Sequence, residues 1–130
     1  MKFSIVINGA PWSSPAALSS LQFAEAVIAS GHEIYRLFFY QDGVCNGSVY
    51  CVPPQDEEDI PGRWQTLVEQ HDIDAVVCSA SALKRGILDK SEADRYDKDG
   101  DNLRAGFSVS GLGQYIDAVQ HSDRVISFVI

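Results

Sequence analysis

The sequence predicts an α/β protein of one domain, built on a mostly parallel five-stranded sheet with helices on both faces. Three observations carry that prediction. Short runs rich in β-branched and aromatic residues recur five times along the 130 residues. Between them lie stretches whose apolar residues fall at helical spacing. Gly, Asn, Asp and Pro mark the junctions. Strands alternating with helices pair in parallel and need cover on both faces, as in flavodoxin-like layering. The length allows one domain, 1–130, large enough to bury a core and too short for two ordinary ones.

Phe3 to Asn8 reads as the first strand, and Asn8-Gly9 turns the chain. Ser14 is placed to cap a helix with Pro15 at its first position, and Leu18, Leu21, Phe23-Ala24, Val27 and Ile28 give it an apolar stripe. Gly31 ends it. Ile34 to Tyr40 is the second strand, stopped by Asp42-Gly43, and Val44 to Pro54 has no clear period. The acidic run Asp56 to Asp59 is expected in the first turn of a helix carrying Ile60, Trp64, Leu67 and Val68. Ile73 to Val77 is the third strand. Short helices are expected over Ala80–Gly86 and Lys90–Arg95, with a polar loop over Tyr96–Asn102. Phe107 to Val109 is a fourth strand, Gly111 to Gln120 a helix with Leu112, Ile116 and Val119, and Arg124 to Ile130 the last strand.

Composition narrows the function classes. The chain is 45% hydrophobic and 22% charged, as globular chains are, and has no apolar stretch long enough to span a bilayer. The short N-terminal apolar run reads as a strand rather than a signal peptide, so a cytoplasmic location is expected. A formal net charge of −8 disfavours direct nucleic-acid binding, which relies on Lys and Arg to neutralise phosphates. The three cysteines, Cys45, Cys51 and Cys78, form no C-x-x-C pair, and His32, His71 and His121 are scattered. This argues against a disulfide framework and against a metal site. Asp97 to Asn102 departs from a calcium loop, with its glycine misplaced and Ser108 where the final Glu belongs. The first strand–helix loop lacks both G-x-G-x-x-G and the Gly-Lys-Ser/Thr ending of a phosphate loop. Ser110-Gly111-Leu112-Gly113 is a weak anion-turn signal. No organic cofactor is expected.

Cys78 is the candidate for chemistry. It lies where the third strand stops and a small-residue helix begins, and a helix start favours thiolate, the reactive form. Ligands of open parallel sheets bind beyond the carboxyl ends of the strands, so Asn8–Ser14, Tyr40–Gly47 and Cys78–Ser81 are expected to converge. Ser79, Ala80 and Ser81 are small enough to admit another molecule, and Lys84 and Arg85 follow within two turns. The alternative is packing, because Cys is among the most buried residue types. Cys45 and Cys51 are the competing thiols, six residues apart in an irregular segment, and are read as free loop cysteines.

Several segments, in order along nearly the whole chain, resemble the DsrE/TusD family of small sulfur-relay proteins, its TusD branch most. They are Phe23-Ala24-Glu25-Ala26, Gly31-His32-Glu33-Ile34, Phe38-Phe39-Tyr40-Gln41-Asp42-Gly43-Val44, Val77-Cys78 with Ala80, Leu83-Lys84-Arg85-Gly86-Ile87, Ser110-Gly111-Leu112-Gly113-Gln114 and Asp123-Arg124-Val125. The resemblance implies a DsrE-like fold and places the family's active cysteine on Cys78, as a carrier of sulfane sulfur in a persulfide. It implies a cytoplasmic heterohexamer with TusB-like and TusC-like subunits. It also implies a TusA-like donor, a TusE-like acceptor, and a relay toward 2-thiolation of the tRNA wobble uridine. The DsrE branch, in dissimilatory sulfur oxidation, shares the cysteine and assembly. A non-catalytic binding or assembly module with a buried Cys78 is the reading from another class. No role is carried onto Cys45 or Cys51.

Overall fold

The first turn of the first helix forms as its sequence predicts: Ser14 Oγ accepts from the Ala16 N–H at 3.2 Å, with Pro15 at the first helical position. The computed structural model describes residues 1–130, with strands β1 (Lys2–Ile7), β2 (Glu33–Phe39), β3 (Ala75–Cys78), β4 (Phe107–Ser110) and β5 (Arg124–Phe128). The helices are α1 (Pro15–Ala29), α2 (Ile60–His71), α3 (Ser79–Lys84), α4 (Lys90–Arg95) and α5 (Gly113–His121). The strands form one sheet in the order β4-β3-β2-β1-β5, and every neighbouring pair is parallel.

That order dictates the layering. From β1 to β4 each connection steps to the next strand in one direction, and right-handed crossovers put α1, α2 and α3–α4 on one face. The connection from β4 to β5 runs back across the sheet, so α5 falls on the opposite face. The core confirms the division. Ile5, Ile7, Leu37, Phe39, Ala75 and Val77 pack with α1 and α2, where Trp64 is fully buried edge-on to Phe39. The alternate residues Val6, Phe38, Val76 and Cys78 face the other way and pack with Tyr115 of α5.

Local departures from the sequence reading have physical causes. Gln41–Gly47, expected partly as a strand stop and partly as irregular chain, is a 3-10 turn pressed onto the end of β1. A Cβ on Gly43 would lie 1.9 Å from the Ile7 carbonyl oxygen, so only glycine fits this approach. The buried Asn46 Nδ2 donates to the Gly9 and Gly43 carbonyls at 3.2 and 2.9 Å. The acidic run 56–59 does not enter the first turn of α2; Asp59 caps it instead, accepting from the Gly62 N–H at 3.1 Å. On α5, Tyr115 and Ala118 turn inward, while Leu112 at its cap and Ile116 and Val119 are about half exposed.

The central strand is tied to α5 and to the start of β3 by charge. The buried Arg36 donates to Asp74 at 2.7 Å, to Asp117 at 2.9 Å and to the Gln114 carbonyl at 2.8 Å. The Tyr35 hydroxyl donates to Asp117 at 2.7 Å, and this bond, followed by that from Arg36, holds the Asp117 carboxyl below its usual range. A carboxylate depressed in the folded state stabilises it above the unfolded value, about pH 4, and that contribution is lost as pH falls through the folded value. Asp117→Asn is therefore expected to flatten the acid limb of a melting-temperature profile below about pH 4. An unchanged limb would show that Asp117 is not linked to acid unfolding.

Candidate functional site

The strand order creates one crevice by topology. The connection leaving β3 goes to the α1/α2 face, and the one leaving β4 goes to the α5 face. Adjacent parallel strands whose connections part in this way open a crevice at their carboxyl ends. Cys78 ends β3 there, paired in register with Ser110 of β4. A cleft of ≈ 460 Å³ opens at this point, lined by Tyr40 and Gln41 after β2, Cys78 to Ser81, Lys84 and Arg85 on and after α3, and Gly111 and Leu112 after β4.

Strand alternation sets the direction of the thiol. Cys78 shares its face with Val76, beneath α5, and is only 2% exposed. The rim is stitched together by short bonds. The Gln41 N–H donates to Ser81 Oγ at 3.1 Å, tying the end of β2 to α3. Gln41 itself has a φ of 51°, a left-handed conformation that a non-glycine residue holds only when its surroundings impose it. Arg85 Nε donates to Asp42 Oδ1 at 2.8 Å and its Nη1 donates to the Ser81 carbonyl at 3.1 Å. Lys84, exposed and also lining the cleft, makes no ion pair.

Two of the three segments expected to converge do so. The ends of β2 and β3 meet in the cleft, whereas Asn8–Ser14 does not line it. β2 stands between β1 and β3, and the first loop stops short of the thiol, with Asn8 lining an adjoining pocket beside Tyr40 and Leu112. It reaches the rim through one bond, from Asn8 Nδ2 to Gln41 Oε1 at 3.0 Å. In its place comes the Ser110–Gly113 turn, whose Gly111 and Leu112 line the cleft. Spacing alone gives that turn little weight, because its relevance depends on β4 lying beside β3.

The other thiols sit apart. Cys45 and Cys51 are half-buried and free, and neither lines the Cys78 cleft. Cys51 Sγ donates to the Cys45 carbonyl at 3.0 Å. Burial pushes both thiols above their usual range, which disfavours their thiolate forms. No cluster of His, Cys, Asp and Glu gathers to hold a metal ion. A larger cleft of ≈ 680 Å³ flanks α3 between Tyr50, Leu83, Leu88 and Tyr96, but carries no thiol. Chemically, the Cys78 cleft offers one recessed thiol beside hydroxyls and cations.

Known proteins resemble this chain over nearly its whole length. The model of the DsrE/DsrF-like family matches residues 1–128. A protein of Pseudomonas aeruginosa called sulfurtransferase TusD homolog is 52% identical over 128 residues, covering 98% of this chain and 97% of its own. A putative sulfurtransferase DsrE of Allochromatium vinosum is 47% identical, covering 98% of both chains. A sulfurtransferase TusD of Enterobacter is 41% identical, covering 98% of this chain and 100% of its own. The crystal structure of the ychN protein from E. coli superposes with a TM-score of 0.78 over 98% of this chain and 99% of that one, at 23% identity, and so shares the fold. The chain thus belongs to the DsrE/DsrF-like family, within its sulfurtransferase branch.

Proposed function

We propose that the protein is a sulfur-relay subunit in which Cys78 carries sulfane sulfur as a persulfide. The observation that carries this reading is the placement of a single thiol at the β3–β4 crevice, with small residues around it and the competing thiols elsewhere and pushed up by burial. The Cys78 thiolate attacks the outer sulfur of a donor persulfide. The donor's S–S bond breaks, the donor thiolate leaves with the bonding pair, and Cys78–S–SH remains. An acceptor thiolate then attacks the outer sulfur of Cys78–S–SH in the same way, and the Cys78 thiolate is restored as the leaving group. The sulfur changes hands without a net oxidant or reductant, and the step needs no cofactor.

By its resemblance to the TusD branch, the donor is TusA-like, the acceptor TusE-like, and the end product 2-thiolated wobble uridine in tRNA. The nearly equal identity to a putative sulfurtransferase named DsrE supports a second reading, sulfur oxidation, with the same chemistry on Cys78. Free cysteines suit a reducing cytoplasm, and no helix is long and apolar enough to cross a membrane. TusB-like and TusC-like subunits would complete a heterohexamer. The outward apolar stripe of Leu112, Ile116 and Val119 favours such a homologous partner on the α5 face.

Incubation with a persulfidated protein donor, followed by peptide mass mapping, tests the carrier. One added sulfur on Cys78 is expected; sulfur on Cys45 or Cys51 with Cys78 clean would overturn the assignment. For assembly, Ile116→Asp is expected to leave the chain folded, because the position is exposed, yet prevent co-purification with homologous subunits. An unaltered complex on size exclusion would remove α5 from the interface.

A further inference from the structure

Two clefts outside the sulfur site flank one short segment, residues 48–54, which turns large apolar side chains outward. Tyr50 lines the larger cleft, of ≈ 680 Å³, with Leu83, Leu88 and Tyr96. Val52 lines the smaller, of ≈ 210 Å³, with Trp12 and a group of prolines. Tyr50 is 76% exposed, Val52 79% and Trp12 68%. The segment is nevertheless held firmly. The Val49 N–H donates to the Asn102 carbonyl at 2.8 Å, and Arg104 Nε and Nη2 donate to the Ser48 and Cys51 carbonyls at 3.0 and 3.2 Å. A pinned backbone that keeps large apolar side chains in water is preorganised for a partner. Carboxylates set the partner's charge. Glu57 and Glu58 line the smaller cleft, Asp99 and Asp101 the larger, and Lys98 is the one cation lining either. Of these carboxylates Glu58 alone is paired, with Arg63. Pairing this surface with itself would set like charges together, whereas lysines or arginines around an apolar side chain complement it.

We propose that the surface formed by Tyr50, Val52, Trp12 and Tyr96 docks the protein that passes sulfur to Cys78, and that this protein presents basic side chains around an apolar one; the inference rests on Cys78 being the sulfur carrier. The surface borders the sulfur site. Leu83 and Gly86, at the end of α3 and just beyond it, line the larger cleft, while Lys84 and Arg85 line the Cys78 cleft. A standard interface covers about 800 Å² on each partner, enough to span this surface and the adjoining cleft. The surface also stays open in an assembly built on α5. Gly47, which leads into the segment, lies against Val77, a residue of the α1/α2 face, and α5 covers the opposite face. Docking and chemistry are thus divided between neighbouring parts of the chain. The aromatic side chains anchor the donor, the carboxylates steer its approach, and the exchange at sulfur takes place in the Cys78 cleft.

The test loads Cys78 of the full chain from two donors, a persulfidated TusA-like protein and free cysteine persulfide, and reads the added sulfur by mass. Tyr50→Ala is expected to slow loading from the protein about tenfold, as removal of an aromatic anchor does, and to leave loading from cysteine persulfide unchanged. The side chain is exposed, so the variant is expected to fold as the parent does. Asp99→Lys combined with Asp101→Lys is expected to slow loading from the protein about fivefold at low ionic strength, and to match the parent at high ionic strength. Loading from the protein at the parent rate in both variants would overturn the inference and leave the carrier assignment standing. Equal slowing with both donors in Tyr50→Ala would show that Tyr50 shapes the thiol's surroundings, and would overturn its docking role. Loss of co-purification with homologous subunits, with loading from the protein unaltered, would assign the surface to assembly and overturn the inference as well. Failure of the parent to load from either donor would sink the carrier assignment itself.

Discussion

Cys78→Ser is expected to abolish sulfur acceptance while leaving the fold and the sheet register intact. Serine fills nearly the same volume at the end of β3, so neither the Val77–Val109 nor the Cys78–Ser110 pairing is disturbed. Its hydroxyl does enter a small apolar cluster with Val76 and Phe38, and a buried hydroxyl that gains no partner costs about 1–3 kcal/mol. The variant therefore melts a few degrees lower and remains folded. Its chemistry is another matter: an alcohol is not ionised at neutral pH and cannot hold a persulfide, so the loss is complete rather than partial. Cys45 and Cys51 serve as internal controls. Their thiols are pushed up by burial, and Cys51 donates its proton to a backbone carbonyl. Cys45→Ser and Cys51→Ser are accordingly expected to accept sulfur at close to the parent rate. Retention of sulfur by Cys78→Ser, measured by intact-mass spectrometry after incubation with a persulfide donor, would move the nucleophile to one of those two positions.

The address of Cys78 is legible in the sequence, because strand runs and helix stripes have distinct periods and their junctions carry their own residue types. Ser14 with Pro15, and Gly31 at φ 84°, behave as their local chemistry requires. The neighbours of the site are less legible. Whether Asn8–Ser14 or Gly111–Leu112 lies beside Cys78 depends on strand order, and order is set by which chain crosses which face, a property no local window contains. The 41–47 turn escapes a sequence reading for a related reason. It has no period of its own, and its shape comes from Gly43 against Ile7 and from Asn46 reaching back to Gly9. The stripe on α5 carries a misleading signal, since Ile116 and Val119 are apolar at helical spacing yet stay half exposed, and Leu112 lines the clefts at the strand ends. Apolar spacing reports that a face is to be covered; it does not report whether this chain or a partner covers it.

Gly43→Ala is expected to produce the largest loss of stability among single-methyl additions, about 3 kcal/mol, by forcing a backbone apart where no side chain can yield. The added Cβ would stand 1.9 Å from the Ile7 carbonyl oxygen and 2.8 Å from its carbon, both backbone atoms of a strand inside the sheet. Since β1 is clamped between β2 and β5, the 41–47 turn must move instead. That movement reaches the site. Gln41, whose N–H is bonded to Ser81, lines the β2 side of the Cys78 cleft, and Asp42 holds Arg85 of the same cleft from behind. Urea or thermal denaturation is expected to show a melting temperature lower by on the order of 10 °C. Alkylation of Cys78 in the fraction still folded is expected to become faster, because a displaced rim no longer recesses the thiol. Gly100→Ala is the matched control: it adds the same methyl group where nothing lies within 4 Å, and little change is expected. If Gly43→Ala is as stable as Gly100→Ala, the turn is not pressed against β1 as described. If it is destabilised but the reactivity of Cys78 is unmoved, the turn supports the core and does not set access to the thiol.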